Sequence, residues 1–129
     1  MEPISVTLDR QDPPVGIVTL AGEHDAYSAR RIANEVELLL DSGLRVVVDL
    51  EEATFIDSQT LSVLVSGRQQ AERAQLGFTL VLPETTFTQV HRILNMTGLG
   101  KWFAVAPTLE DAIAASRAGR NAGNRLRVA

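Results

Sequence analysis

The strongest constraint in this sequence is an abrupt change in apolar period. Ala29, Ile32, Val36, Leu39 and Leu40 recur at steps of three and four, and the unbroken β-branched run Val46-Val47-Val48 follows a few residues later. The first pattern is one face of a helix, and the second suits a strand covered on at least one side. A further apolar run, Val15 to Ala21, precedes the helix, so 15–50 reads as strand, helix, strand joined by a right-handed crossover. Asp25 or Ser28 would cap the helix at its start, and Ser42-Gly43 would stop it.

The alternation continues downstream. Glu51 to Asp57 reads as a loop, and Ser58 to Gln75 returns to helical spacing with Leu61, Leu64, Val65 and Arg68 on one side. Phe78 to Leu82 is a strand closed by Pro83, and Val90, Ile93 and Leu94 mark a short helix that stops before Gly98. Trp102 to Ala106 reads as the last strand, and Leu109, Ala112 and Ile113 as the last helix, with Thr108 as cap and Glu110-Asp111 in its first turn. At the other end, Ile4, Val6 and Leu8 alternate with Ser5, Thr7 and Asp9, and Pro13-Pro14 breaks the pattern. That is a half-buried strand turning back to pair antiparallel with the next. The expected fold class is therefore α/β, a mixed sheet of four to five strands with about four helices.

Composition narrows the chemistry. The 129 residues suffice for one domain, and 45% of them are hydrophobic, enough for a core. No cysteine is present, which removes disulfides, thiol catalysis and Cys-ligated metals, and His24 and His91 are the only histidines. No apolar run approaches the roughly 18 residues of a membrane span, and Met1-Glu2-Pro3-Ile4 is unlike a secretory signal, so a cytoplasmic protein without membrane contact is expected. The net charge of -4 is unevenly spread: 1–116 carries 8 basic and 16 acidic residues, and 117–129 carries Arg117, Arg120, Arg125 and Arg127 with no acid. An acidic body repels phosphate backbones, so direct nucleic-acid binding is not expected. The arginine-containing segment 117–129 reads as a solvated, flexible tail.

No enzyme motif emerges. Gly98 and Gly100 do not form a phosphate loop, and no nucleophile elbow is present. His24 reads as a polar loop residue and His91 as a surface or boundary residue. Glu23, Asp25, Asp49 and Asp57 would gather at the carboxyl ends of parallel strands, the usual site in open α/β sheets, and on paper resemble a magnesium or phospho-acceptor pocket. The only lysine, Lys101, precedes Trp102 instead of following a strand, which fits a phospho-receiver poorly. The most informative stretch is Asp49 to Ser58. Phe55-Ile56 would plug against the sheet, Asp57 would cap the next helix, and Ser58 would be its first residue with a hydroxyl facing solvent.

Four ordered motifs resemble the STAS domain family, in its bacterial anti-sigma factor antagonist branch. They are Gly22-Glu23-His24-Asp25 with Ala29 behind it, Val46-Val47-Val48-Asp49-Leu50, Phe55-Ile56-Asp57-Ser58 and Leu61-Ser62-Val63-Leu64. The resemblance covers 1–116. It implies a STAS-like sheet covered mainly on one face, no catalytic residue and no cofactor or metal. It implies that Ser58 is phosphorylated by an anti-sigma factor with serine kinase activity. The unphosphorylated form binds that kinase and frees the sigma factor, and a phosphatase resets the cycle. Glu23, Asp25, Asp57, Ser58, Gln59, Thr60 and Leu61 are the implied partner-binding residues. Gln59-Thr60 departs from the family's small residue and glycine, bringing bulk beside the acceptor and a second hydroxyl. Two rivals stay open: a STAS scaffold in another signalling or transport-linked complex without serine phosphorylation, and a small carboxylate-dependent enzyme. A weak homodimer through the sheet edge is also left open.

Overall fold

The structure, a computed structural model, describes residues 3–123. Five strands lie in the order β1-β2-β3-β4-β5: β1 Ile4–Asp9, β2 Val15–His24, β3 Arg45–Ile56, β4 Phe78–Val81 and β5 Ala104–Ala106. β1 runs antiparallel to β2, as the proline-broken turn predicts, and the remaining pairs are parallel. The helices are α1 Ala26–Asp41, α2 Ser58–Ala74, α3 Gln89–Thr97, the four-residue α4 Leu99–Trp102 and α5 Leu109–Arg117. This is the mixed α/β fold expected from the sequence, with one more helix.

Two apolar layers hold it together. Ile32, Val36 and Leu40 of α1, Leu61 and Leu64 of α2 and Val90 and Leu94 of α3 pack against Val18, Val46, Val48 and Leu80 on one face of the sheet. On the other face α5 alone, through Ala112 with Leu109 and Ile113, covers Val15, Ile17, Val47 and Val81. The neighbours Val46, Val47 and Val48 thus serve both layers, as alternation in a strand requires. α5 sits close to the sheet because Gly77 carries no side chain: a Cβ there would collide with the Ser116 backbone. The buried Ser116 hydroxyl bonds the Val46 carbonyl at 2.6 Å and the Thr79 hydroxyl at 2.9 Å.

The structure corrects three local expectations. Glu51–Asp57 is not a loop. β3 runs on to Ile56 and stays paired with β2, which itself extends to His24 through register shifts near Ala21 and Gly22. β4 leaves the pairing at Asp49↔Val81, so the last turn-ward part of β2 and β3 is a two-stranded ribbon projecting past the sheet. Its buried Ala53 and Ile56 anchor it while Glu51, Glu52, Thr54 and Phe55 are exposed. Trp102 is not in the last strand. Gly98 ends α3 in the left-handed region (φ 74°), the chain makes the short α4, and Phe103 turns it extended into β5.

The third correction concerns the segment expected to be a flexible tail from residue 117. Arg117 closes α5 and pairs with Asp9 at 2.6 Å. Beyond it, Arg120 O accepts from Phe78 N, Asn121 bonds the Leu76 carbonyl, and Gly123 N donates to Trp102 O. Residues 117–123 therefore strap the amino ends of the parallel strands. Arg125 and Arg127 lie outside the described residues.

Candidate functional site at the carboxyl edge of the sheet

The β2–α1, β3–α2 and β4–α3 connections meet at the carboxyl ends of the parallel strands, and hydrogen bonds tie them into one surface. Asp57 N donates to His24 O at 3.1 Å. The Thr60 hydroxyl reaches the same carbonyl at 3.3 Å and Asp25 O at 3.5 Å. From α3, the Gln89 carboxamide accepts from Ile56 N and donates to Ile56 O, each at 2.9 Å.

Each helix entering this surface is capped by a side chain. Asp25 accepts from Tyr27 N at 2.9 Å and Asp57 from Thr60 N at 2.8 Å. Asp25, not Ser28, is thus the cap of α1. Asp57 caps α2 as the sequence predicts, and Thr88 caps α3 in a reciprocal box with His91. The Asp57 side chain and carbonyl take the N–H groups of Thr60 and Leu61. Those of Ser58 and Gln59 have no intrahelical acceptor, as at any helix start.

Ser58 is the exposed first residue of α2, and Gln59, Glu23 and Asp25 are exposed beside it, with Asp57 half-buried. Thr60 and Leu61 differ from expectation: they are only 0% and 8% exposed. Thr60 spends its hydroxyl on the end of β2, so its side chain shapes the edge from inside and offers no second surface hydroxyl.

His24 also departs from its expected place. It is fully buried at the end of β2, with Nε2 2.9 Å from Ala21 O and Nδ1 3.1 Å from Ser28 Oγ. Since a carbonyl can only accept, Nε2 carries the proton toward Ala21. The pairing leaves neither nitrogen for catalysis. His91 keeps its boundary position, its Nδ1 accepting from Thr88 N and its Nε2 2.7 Å from Pro83 O.

Glu23, Asp25 and Asp57 share this edge, and Asp49 does not join them. Asp49 sits within the paired part of β3, eight residues of extended chain before Asp57, which separates them by roughly 25 Å. It is buried, and its Oδ1 accepts from Glu51 N at 3.0 Å. Burial pushes its carboxyl above the usual range, and desolvation first, then the charges of Asp49 and Glu52, raises Glu51. Among the described residues no group of His, Asp or Glu has the arrangement of a metal site. No helix among them is long and apolar enough to cross a membrane.

Of the Phe55-Ile56 pair expected to plug against the sheet only Ile56 is buried; Phe55 is exposed, as are Tyr27 and Phe87, which sequence reading did not single out. Tyr27, Phe55 and Phe87 are 95%, 38% and 66% exposed. Tyr27 lies two residues after Asp25, Phe55 precedes Ile56, and Phe87 lies two residues before Gln89, so all three rim the hydrogen-bonded surface. Phe87 stacks on His91 with ring centroids 5.3 Å apart. Exposed rings on the three connections that meet at one sheet edge are the composition of an interaction surface.

Comparison with known proteins gives this surface a lineage. A profile of the STAS domain matches residues 7–112. The anti-sigma-F factor antagonist RsfB of Mycobacterium tuberculosis is 27% identical over 121 residues, spanning 92% of this chain and 95% of RsfB. The crystal structure of an anti-sigma factor antagonist from Mycobacterium paratuberculosis superposes with a TM-score of 0.71 at 27% identity, covering 88% of this chain and 94% of that one. The Bacillus cell fate determinant SpoIIAA, solved in its phosphorylated form, shares the fold at 20% identity (TM-score 0.61; 85% and 97% covered). The chain belongs to the STAS domain family, and the relatives that match it at 27% identity are named anti-sigma factor antagonists.

Proposed function

We propose that this chain is an anti-sigma factor antagonist that binds a serine-kinase anti-sigma factor through the carboxyl edge of its sheet, frees the sigma factor, and is switched off by phosphorylation at Ser58. The observation that carries the reading is the placement of Ser58. Ser58 stands exposed at the first position of a 17-residue helix, on the sheet edge whose connections also carry exposed aromatic rings. Names among its relatives, including an antagonist solved in a phosphorylated form, support the same assignment.

The physics suits a switch that leaves the fold intact. A phosphate adds about -1.5 to -2 charge and new acceptor oxygens. At Ser58 it would meet the helix N-terminus and the N–H groups of Ser58 and Gln59, which tolerate an anion. The neighbouring Asp57 opposes it, and a docked partner would have to desolvate it. The transfer requires no base from this chain; the kinase brings its own. A phosphatase that recognises the exposed first turn of α2 would complete the cycle.

The test is incubation with the serine-kinase anti-sigma factor of the same genome and ATP, followed by intact mass measurement. One phosphate on the wild type and none on Ser58→Ala is the expected result. Equal phosphate on Ser58→Ala would remove Ser58 from the acceptor role. Tight binding without any phosphate transfer would select the scaffold reading, and Ser58→Asp binding as tightly as wild type would remove the charge switch.

A further inference from the structure

We propose that the outer edge of β1 pairs with β1 of a second copy of this chain, antiparallel about a two-fold axis at Val6, so that two sheets join into one across the dimer. The seam lies apart from Ser58 and does not rest on the partner-binding reading.

The two edges of the sheet differ. β5 is three residues long, a short edge of the kind that resists pairing, whereas β1 runs six residues in unbroken register. Ile4 to Leu8 holds no charge and no proline, so the usual devices that keep one edge strand from meeting another are missing. One hydrogen bond gives the direction of the backbone groups. Ala21 N donates to Pro3 O, so in this antiparallel pair the odd-numbered residues of β1 bond β2. Ile4, Val6 and Leu8 therefore turn their N–H and C=O groups to the side on which β1 has no neighbouring strand. The approach of Arg31 Nη2 to Ile4 O, at 3.5 Å, comes from that side.

Side chains make the same edge apolar. Ile4 and Val6 pack in the core beneath α1, and alternation puts Leu8 on that face too. Leu8 is nevertheless 44% exposed. It pairs with Gly16, where α1 comes down on the sheet: a Cβ on Gly16 would lie 2.7 Å from the Leu39 side chain. Leu38, next to Leu39, is 64% exposed and lies seven residues after Arg31, on the side of α1 that faces the edge. Two exposed leucines thus follow the free edge, and packing within one copy gives them no use.

A second copy fits this edge residue by residue. With the axis at Val6, Ile4 of each copy lies opposite Leu8 of the other, Ser5 opposite Thr7, and Val6 opposite itself. Apolar side chains meet on the α1 face and hydroxyls meet on the other. The outward groups of Ile4, Val6 and Leu8 satisfy one another in full, because opposed residues at bonded positions exchange both bonds. A slip of one residue would set each apolar side chain against the wrong face. The pairing is isologous and closes at two copies, since the short β5 gives no second long edge to extend it. Six residues a side make a small contact, so the dimer forms reversibly with concentration.

The test is sedimentation velocity of the full chain over a concentration series, with amide exchange at both ends of the series and thermal melts to confirm that each variant folds. The wild-type mass is expected to rise from the 14.0 kDa of one chain toward twice that value. The amides of Ile4, Val6 and Leu8 are expected to exchange more slowly in the concentrated sample. Leu8→Lys puts a charge on the exposed edge, and Val6→Pro removes an N–H that β2 does not use. Each is expected to weaken self-association about tenfold or more, and Val105→Lys on β5 to leave it unchanged. A wild type that stays monomeric at millimolar concentration, or a dimer that both Leu8→Lys and Val6→Pro leave intact, would overturn the seam. Protection of the β1 amides that appears only when a different protein is added would give the edge to that protein and overturn the second copy as its occupant.

Discussion

The side chain of Gln89 completes the backbone hydrogen bonding of Ile56. Its carboxamide accepts from Ile56 N and donates to Ile56 O, each at 2.9 Å. β4 stops pairing with β3 at Asp49, so by Ile56 that side of β3 has no neighbouring strand. One glutamine at the first position of α3 stands in for it, and so fixes the backbone two residues before Ser58.

Gln89→Ala leaves a buried strand end with two unmet groups. The expected loss is about 1–3 kcal/mol by urea denaturation. Faster amide exchange at Ile56, with α1 and the central strands unchanged, would locate the effect at the Ser58 edge.

Asp57 tests cap against charge. Its bond to Thr60 N needs an acceptor oxygen, not a negative charge. Asp57→Ala should therefore cost about 1 kcal/mol of stability, and Asp57→Asn little. If the carboxylate also contacts the partner, Asp57→Asn will bind it more weakly while melting like wild type.

The reach of the sequence can be judged from these same residues. Asp57 as cap and Ser58 as exposed first residue were legible because capping is local: a short acidic side chain before an apolar helical run has few other uses. The strand, helix, strand unit of β2, α1 and β3 was legible from the change of period between α1 and the valine run. The ribbon of β2 and β3 was not, because Glu51 and Glu52 read as loop when only one face of a strand is buried and that strand lacks a neighbour. His24 and Thr60 were misread for a related reason. Each is polar and yet buried, and the carbonyls that satisfy them, Ala21 O and His24 O, belong to backbone whose position no side-chain pattern records. Gln89 gives no sequence signal at all, since its partner lies 33 residues away. The packed stretch 117–123 looks like linker by composition, and its order comes from backbone bonds to β4 and α4.

Thr60 carries the third test of that edge. Thr60→Val keeps shape and removes a buried hydroxyl bond to His24 O, for an expected loss of about 1 kcal/mol. Thr60→Gly adds the helical cost of glycine, about 1 kcal/mol, and a cavity. Because the hydroxyl is buried, mass spectrometry after kinase treatment should find no phosphate on Thr60 even in Ser58→Ala.

Asp49 gives the pH dependence. Burial raises its folded carboxyl above the ordinary value of 3.8. The folded state then holds the proton to higher pH than the unfolded state, so this group's contribution falls as pH rises through that window and stays low at neutrality. Asp49→Asn, whose amide oxygen can still accept from Glu51 N, should be more stable than wild type at neutral pH. The advantage should shrink below about pH 4, where both forms are uncharged. Urea midpoints at the two pH values measure it, and an advantage that grows on acidification would contradict the argument.

Arg68 is the link between α2 and the strap at the amino end of the strands. It is 5% exposed, its Nε donates to Asn121 O at 2.8 Å, and its guanidinium lies 4.0 Å from the centroid of the Trp102 ring. The exposed Glu72, 3.5 Å away, adds little in water. Arg68→Lys retains the charge but loses the planar stack and the Nε donor, so a conservative replacement should still cost about 1–2 kcal/mol. Trp102 is the only tryptophan, so its emission reports the contact directly. Arg68→Lys should shift that emission and lower the urea midpoint together, and binding at the opposite, Ser58 edge should be unchanged when measured well below the new melting temperature. A stability loss with unaltered tryptophan emission would place the cost at Asn121 instead of the ring.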